Sequence, residues 1–458
     1  MTPAARIAAA IDLLAAIETA RTRPADAVAN DWFRTRRFIG SSDRRAVSDR
    51  VWHVLRHRRR LGWWLERGAA GGTAGGTAGG AAGGARGGAA DGAGNEQAPA
   101  PRLLIAASLV LAGSSLAAVA VLFSGGRFAP PPLAPDEQSA LCSLEGHTID
   151  HPGMPDPVRS EVPDWLFPRI AARFGPATQA ELQAMLEPAP LDLRANLLKA
   201  NRDEAHAALA AEQIDTTPTP FSPWGLRAAG RRPLTAGPAF RSGLVEIQDE
   251  GSQLIALLVD AQPGQRVCDY CAGAGGKTLA LAAAMQNRGH LLACDTAAAR
   301  LDNAARRLRR AGVSNVERHL LVPGDKWAKR RAGSFDRLLI DAPCTGTGTW
   351  RRNPDARQRL TAADLAELVE RQTAILDTAA ALVRTQGRLV YATCSVLEEE
   401  NEAQVTSFLA RHPGFTLVPL ARAWQRPGPP PCPGGYLALT PARHGTDGFF
   451  AAVMERVA

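Results

Sequence analysis

From about Val245 onward, short apolar stretches alternate regularly with helical ones, and this alternation constrains the fold more than any other property of the chain. Strands are expected over 266–271, 290–294, 316–322, 335–341 and 387–393, with helices between them. Such an order builds a doubly wound, mainly parallel α/β sheet, in which ligands and reactive groups gather at the carboxyl ends of the strands. The residues at those ends therefore carry the most information. The first strand runs into Cys271-Ala272-Gly273-Ala274-Gly275-Gly276-Lys277-Thr278, and the second ends at Asp295. The fourth ends in Asp341-Ala-Pro-Cys344, and the fifth in Thr393-Cys394-Ser395.

The glycines at 273, 275 and 276 let backbone approach a ligand closely, and the helix that follows adds unpaired N–H groups. Three nucleotide-type readings compete. A P-loop requires a glycine where Cys271 stands, and a dinucleotide loop requires one where Thr278 stands, so both matches fail. An adenosyl-methionine loop fits better, with Asp269 before the loop and Asp295 placed to accept from ribose hydroxyls. Cys268 and Cys271 form a C-x-x-C, but no second thiol pair or histidine cluster follows at ligand spacing, so no metal is expected. Lys277 is one of four lysines in a chain whose other 49 basic residues are Arg, and a compact ammonium suits a crowded pocket.

The net charge of +8 is unevenly distributed. Residues 1–67 contain 14 Arg against seven Asp and Glu, a net of +7, so this helical end has the character of a polyanion-binding segment. Residues 68–98 are a Gly/Ala/Thr tract with 13 glycines, expected to be a flexible insertion. The uncharged run 103–123 meets the length of a membrane span, but Gly113-Ser114-Ser115 in its middle read as the end of one buried helix and the cap of the next. Between 151 and 244 a helix, a strand at 191–199, a helix at 201–213 and further short strands suggest a small α+β module. Seven scattered cysteines do not form a disulfide framework and no secretory signal is visible, which points to a reducing cytoplasm.

Two cysteines at neighbouring strand ends, one beside Asp341, suggest a particular chemistry. Carbon 5 of a cytosine is a poor nucleophile, but a thiolate added at carbon 6 turns the ring into an enamine able to attack a sulfonium methyl. An adenosyl-methionine pocket with one Asp and two thiols is the equipment this requires.

CAGAGGKT, DAPCTGTG with its RRNPD continuation, and YATCSVLEEEN resemble the Sun/Fmu family of RNA cytosine-C5 methyltransferases. FSGGRFAPPPL, EVPDWLFPR and EIQDEGSQL resemble its bacterial members acting on small-subunit (16S) ribosomal RNA, and HGTDGFF resembles the family's closing strand region. The family often has Pro where Ala274 stands. The resemblance implies a class I, Rossmann-like catalytic domain over 245–458, preceded by a NusB-like helical RNA-binding domain (1–67 and 101–150). The insertion would occupy 68–100, and a small RNA-recognition-like module 151–244. It implies Cys394 as nucleophile, Cys344 in resolving the adduct, and Asp341 at the target base and the cofactor side. Cys271, Ala272, Gly273, Ala274, Gly275, Gly276, Lys277, Asp295 and Asp325 would bind S-adenosyl-L-methionine. Arg351 and Arg352 are candidates for RNA phosphates. A monomer without metal or membrane attachment is expected. The alternative, a non-catalytic RNA-binding or ribosome-assembly factor retaining the fold, is disfavoured by intact Cys344, Cys394 and Asp341.

Overall fold

The computed structural model describes residues 1–20, 22–72, 99–230, 234–322, 324, 326–426 and 428–458. Most of the glycine tract, and Asp325, therefore lie outside the described residues. The chain divides into two compact units, one of Met1–Phe167 with Asn353–Arg359, the other of Pro168–Arg352 with Leu360–Ala458.

The first unit is helical. Helices Pro3–Thr19, Ser41–Arg56, Arg58–Gly72 and Pro101–Val110 bury Leu13, Leu14, Val51, Val54, Leu61 and Leu104 in one core. The helix begun at Arg58 continues to Gly72, past the expected limit at 67. The apolar run breaks where its sequence suggests. Gly113 takes φ +94°, and the Ser115 side chain accepts from the Ala118 N–H at 3.2 Å to start helix Leu116–Leu122. Among the described residues no helix is long and apolar enough to cross a membrane. Helix Ser41–Arg56 starts from Gly40, and Asp43 in its first turn pairs with the terminal amine and Arg6. The arginines are not one solvated face. Arg56 and Arg60 are buried, whereas Arg34, Arg37, Arg44 and Arg45 line a shallow basin of about 460 Å³ with Asn30 and Ser48.

The unit continues beyond the expected boundary at 150, because Met154 belongs to its core and Glu161 accepts from the Arg59 and Arg60 N–H groups. It also takes up Asn353–Arg359. Asp355 there accepts from the Ala25 N–H at 3.1 Å and from Arg359 at 2.7 Å, so it serves helix Ala25–Thr35 as an N-terminal cap supplied from far along the chain.

The second unit contains two sheets. Strands β1 (Leu191–Ala195), β2 (Thr216–Pro218), β3 (Gly225–Ala228) and β4 (Val245–Ile247) form an antiparallel sheet in the order β2-β3-β1-β4. β4 lies just past the expected boundary at 244, since Val245 pairs with Ala195 and buries its side chain in the small module's core.

The larger sheet comprises β5 (Arg266–Asp269), β6 (His290–Asp295), β7 (Val316–Leu320), β8 (Phe335–Asp341), β9 (Val383–Thr393), β10 (Phe415–Val418), β11 (Leu437–Leu439) and β12 (Phe449–Arg456). Its order is β10-β12-β9-β8-β5-β6-β7, with β11 on β12; β5 to β9 are mutually parallel, and β12 is antiparallel to its neighbours. Successive residues point to opposite faces, so Val267, Leu291, Leu339 and Val390 enter one core while Cys268, Leu292, Leu338 and Tyr391 enter the other. This two-sided burial explains why the strands read as nearly continuous apolar runs. Cys268 is a core residue of this kind. The chain leaves β5 on one side for β6, and β8 lies on its other side, so the ends of β5, β6 and β8 border a switch-point crevice.

Candidate active site

A cleft of about 670 Å³ opens at that crevice. Cys271, Gly273, Asp295 and Asp341 line it, together with Arg300 and Arg371. The glycine loop owes its shape to two left-handed residues, Gly273 at φ +54° and Gly275 at φ +81°, the latter capping helix Gly276–Ala284. A Cβ on Gly273 would meet nothing within 4 Å, so open space lies over the loop. Ala272, Ala274, Gly275 and Gly276 form the backbone behind it. Ala274 O accepts from Arg307 at 2.9 Å and Gly276 O from Arg194 at 3.0 Å. Arg194 belongs to β1 and Arg307 pairs with Glu246 of β4, so the small sheet braces the loop from outside the cleft. Burial lowers the Arg194 pKa, to about 10.

Asp295 ends β6 nearly buried, accepting from the Gly273 N–H at 2.9 Å on one oxygen and from the Ala297 N–H at 2.8 Å on the other. Each oxygen retains a lone pair toward the cleft for a hydroxyl donor. A carboxylate acceptor, an open glycine cradle and a cleft of this volume fit an adenosyl group. Lys277 points from the helix start to Asp341, with Nζ 2.7 Å from Oδ2, and lies 5.8 Å from the Phe449 ring. Beneath the loop, Asp269 is fully buried and accepts the Thr278 hydroxyl at 2.7 Å. Burial raises its pKa to about 7 against the lowering effect of that bond. Burial also pushes the Cys271 thiol far up, which keeps it protonated.

The ends of β8 and β9 hold the thiols. Cys344 Sγ lies 3.4 Å from Cys394 Sγ, and both are half-buried. Hydrogen bonding to Cys394, and then burial, push the Cys344 thiol well above its ordinary range. Gly348 N donates to Cys394 O at 2.9 Å, and Gly348 O accepts from Gly448 N at 2.8 Å, which locks the cysteine loops to the turn before β12.

Residues 256–455 match the family described as 16S rRNA methyltransferase RsmB/F, and residues 162–235 match its RsmF/B-like ferredoxin-like domain. The ribosomal RNA small subunit methyltransferase B of Xylella fastidiosa is 36% identical over 296 residues, which is 63% of this chain and 67% of that protein. This chain belongs to the RsmB/F methyltransferase family. A probable ribosomal RNA small subunit methyltransferase B of Synechocystis sp. is 36% identical over 299 residues, 64% of this chain, and the match spans 66% of that relative's length. Across the whole chain, the crystal structure of PH0851 has the same fold, with a TM-score of 0.75, 24% identity and coverage of 100% of this chain and 99% of that one. The family's cofactor is S-adenosyl-L-methionine.

The structure places Cys271, Gly273, Asp295 and Asp341 in the cleft, and it pairs Cys344 with Cys394 at the neighbouring strand end. Two expected residues are placed elsewhere in chemical terms. Arg351 is buried, with Nε on Asp447 and Nη2 donating to Gly445 O at 3.0 Å, and Arg352 pairs with Asp447 at 2.5 Å and Asp249 at 2.7 Å. Two buried carboxylates draw both guanidiniums inward, so they are not a free phosphate clamp. EIQDEGSQL, RRNPD and HGTDGFF thus meet at one structural charge cluster. Glu400 and Asn401, behind the thiols, escape the sequence reading, because an EEEN run reads as a solvated turn. Among the described residues, no group of three or more His, Cys, Asp or Glu is gathered as a metal site requires.

Proposed function

We propose that this chain transfers a methyl group from S-adenosyl-L-methionine to carbon 5 of a cytosine in 16S ribosomal RNA, through a covalent adduct on Cys394. The observation that carries this reading is the pair of thiols 3.4 Å apart at adjacent strand ends, one of which also bears Asp341. S-adenosyl-L-methionine supplies an electrophilic sulfonium methyl, and the chain does the rest. The Cys394 thiolate bonds to carbon 6, which moves electron density to carbon 5 and makes that atom nucleophilic. Asp341, held by Lys277, contacts the target base and stabilises the charge that develops on its ring. After methylation carbon 5 still carries its proton. A general base takes that proton, and the C–H electron pair restores the 5,6 double bond and expels the Cys394 thiolate. Cys344, beside the departing sulfur, assists this last step. The basin of Arg34, Arg37, Arg44 and Arg45 serves as a phosphate-holding surface for the RNA.

The test uses 16S RNA transcribed in vitro and tritiated methyl donor. Cys394→Ala is expected to abolish label transfer, whereas Cys344→Ala accumulates a protein–RNA adduct that survives a denaturing gel. Unchanged activity in Cys344→Ala without an adduct refutes the two-thiol assignment.

A further inference from the structure

The two residues that follow the acidic turn behind the site are placed unlike their neighbours. Glu398 is exposed and Glu399 pairs with Arg169, but Glu400 is fully buried and Asn401 is 1% exposed. Among the described residues Glu400 has no cation within ion-pair distance. A bare carboxylate so placed is expensive to bury unless donors surround it. Its donors come from the cysteine loop. Oε1 accepts from the Thr345 N–H at 2.8 Å and from Gln372 Nε2 at 3.0 Å, and Oε2 accepts the Thr345 hydroxyl at 2.5 Å. Gln372 also donates to Pro343 O at 2.9 Å, so both neighbours of Cys344 are held, one directly and one through Gln372. Tyr391 OH fixes the Glu400 carbonyl at 2.6 Å.

Asn401 does the same for the other thiol. Its Oδ1 accepts the Thr393 hydroxyl at 2.5 Å and its Nδ2 donates to Ser395 O at 2.9 Å, so one amide spans Cys394. Two consecutive residues therefore grip the flanks of the two thiols, Glu400 those of Cys344 and Asn401 those of Cys394. Among the described residues the flanks bond to each other only through hydroxyls, Thr345 Oγ1 lying 3.3 Å from Ser395 Oγ.

We propose that Glu400 and Asn401 are a pair of positioning residues that divide the reaction between them: Asn401 sets Cys394 for attack on the base, and Glu400 sets Cys344 for release of the adduct. The inference rests on the two-thiol reading above and adds which residues control each half of it. Misplacing a reacting group by about 1 Å can cost about 10²-fold in rate.

The experiment follows adduct formation and adduct decay separately, on denaturing gels, with transcribed 16S RNA and S-adenosyl-L-methionine. Glu400→Ala is expected to form adduct normally and to release it about 10²-fold more slowly. Glu400→Gln, which keeps an acceptor for the Thr345 N–H, recovers most of that loss. Asn401→Ala is expected to slow formation while any adduct formed decays at the wild-type rate. Cofactor affinity, read by calorimetry, stays the same in all three. Equal losses of formation and release in Glu400→Ala and Asn401→Ala, or wild-type kinetics in both, overturn the proposal. Should Glu400→Ala fail to fold, Thr345→Val removes the hydroxyl contacts to Glu400, Ser395 and Thr347 and keeps the N–H bond to Glu400; it must slow release more than formation, and unchanged release overturns the proposal. Cys344→Ala runs alongside: if it traps no adduct, the two-thiol reading has failed and not the division of roles.

Discussion

Gly348 offers the most demanding test of the site geometry, because it is held between the nucleophile loop and the turn before β12. A Cβ added there would stand 2.1 Å from Gly448 O, 2.6 Å from its carbonyl carbon and 2.7 Å from its Cα. These neighbours are backbone, so no side chain can swing aside, and the two segments must part by roughly 1 Å to reach ordinary contact. Overpacking of this kind costs about 1–3 kcal/mol. The displacement also breaks the hydrogen bonds of Gly348 to Cys394 O and Gly448 N, at about 1 kcal/mol each. Gly348→Ala is therefore expected to lose about 3–5 kcal/mol of stability. Cys394 moves with its carbonyl, so turnover should fall about 10²-fold. The glycine loop and Asp295 follow β5 and β6, and of the cleft residues only Asp341 and Pro343 lead into the Gly348 loop, so cofactor affinity should change far less than turnover. Urea unfolding, calorimetric cofactor titration and label transfer read the three quantities. Wild-type stability and wild-type turnover in Gly348→Ala would refute the close approach and the reasoning built on it.

Asp269 gives a pH prediction. Burial lifts its pKa to about 7, so between the unfolded carboxyl value near 4 and pH 7 the folded chain keeps a proton that the unfolded chain has lost. The contribution of Asp269 thus makes stability fall as pH rises through that window and level off above it, by at most about 4 kcal/mol. Asp269→Asn, which keeps an oxygen for Thr278, should flatten this slope and be more stable than wild type at pH 8 in urea unfolding; an unchanged slope contradicts the assignment. In the other unit, Asp355→Ala removes the cap on Ala25 N and is expected to cost about 1–2 kcal/mol. Hydrogen exchange should quicken in the first turn of helix Ala25–Thr35, and unaltered protection there would rule out the cap.

The parts of this fold that are legible in the sequence are those governed by local patterning. Strands buried on both faces read as apolar runs, and the strand ends carrying Asp295, Asp341, Cys344 and Cys394 stand out because the run stops and polar or reactive residues follow. The breaks at Gly113 and Ser115 are visible for the same local reason. Pairings between distant residues are invisible. Arg351 and Arg352 read as a basic surface pair because their partners, Asp249 and Asp447, lie about a hundred residues away on either side. Glu400 is hidden by its own neighbours: of three consecutive glutamates only the last turns inward, and nothing in their composition distinguishes it. Asp355 reads as part of a catalytic-domain loop, whereas it completes a helix start 330 residues earlier.

The excursion of Asn353–Arg359 bears on how this chain can be divided by experiment. Those seven residues count with the N-terminal unit although the chain on either side of them does not. Within them, Asp355 and Arg357 are 6% and 2% exposed, so their charges are fitted to an interior. No single cut separates the two units cleanly. A fragment starting at Pro168 would carry a stranded piece of foreign core only a few residues after Cys344, with polar groups that have lost their surroundings. The chain passes between the units three times, so a truncation meant to isolate the methyltransferase must also replace Asn353–Arg359.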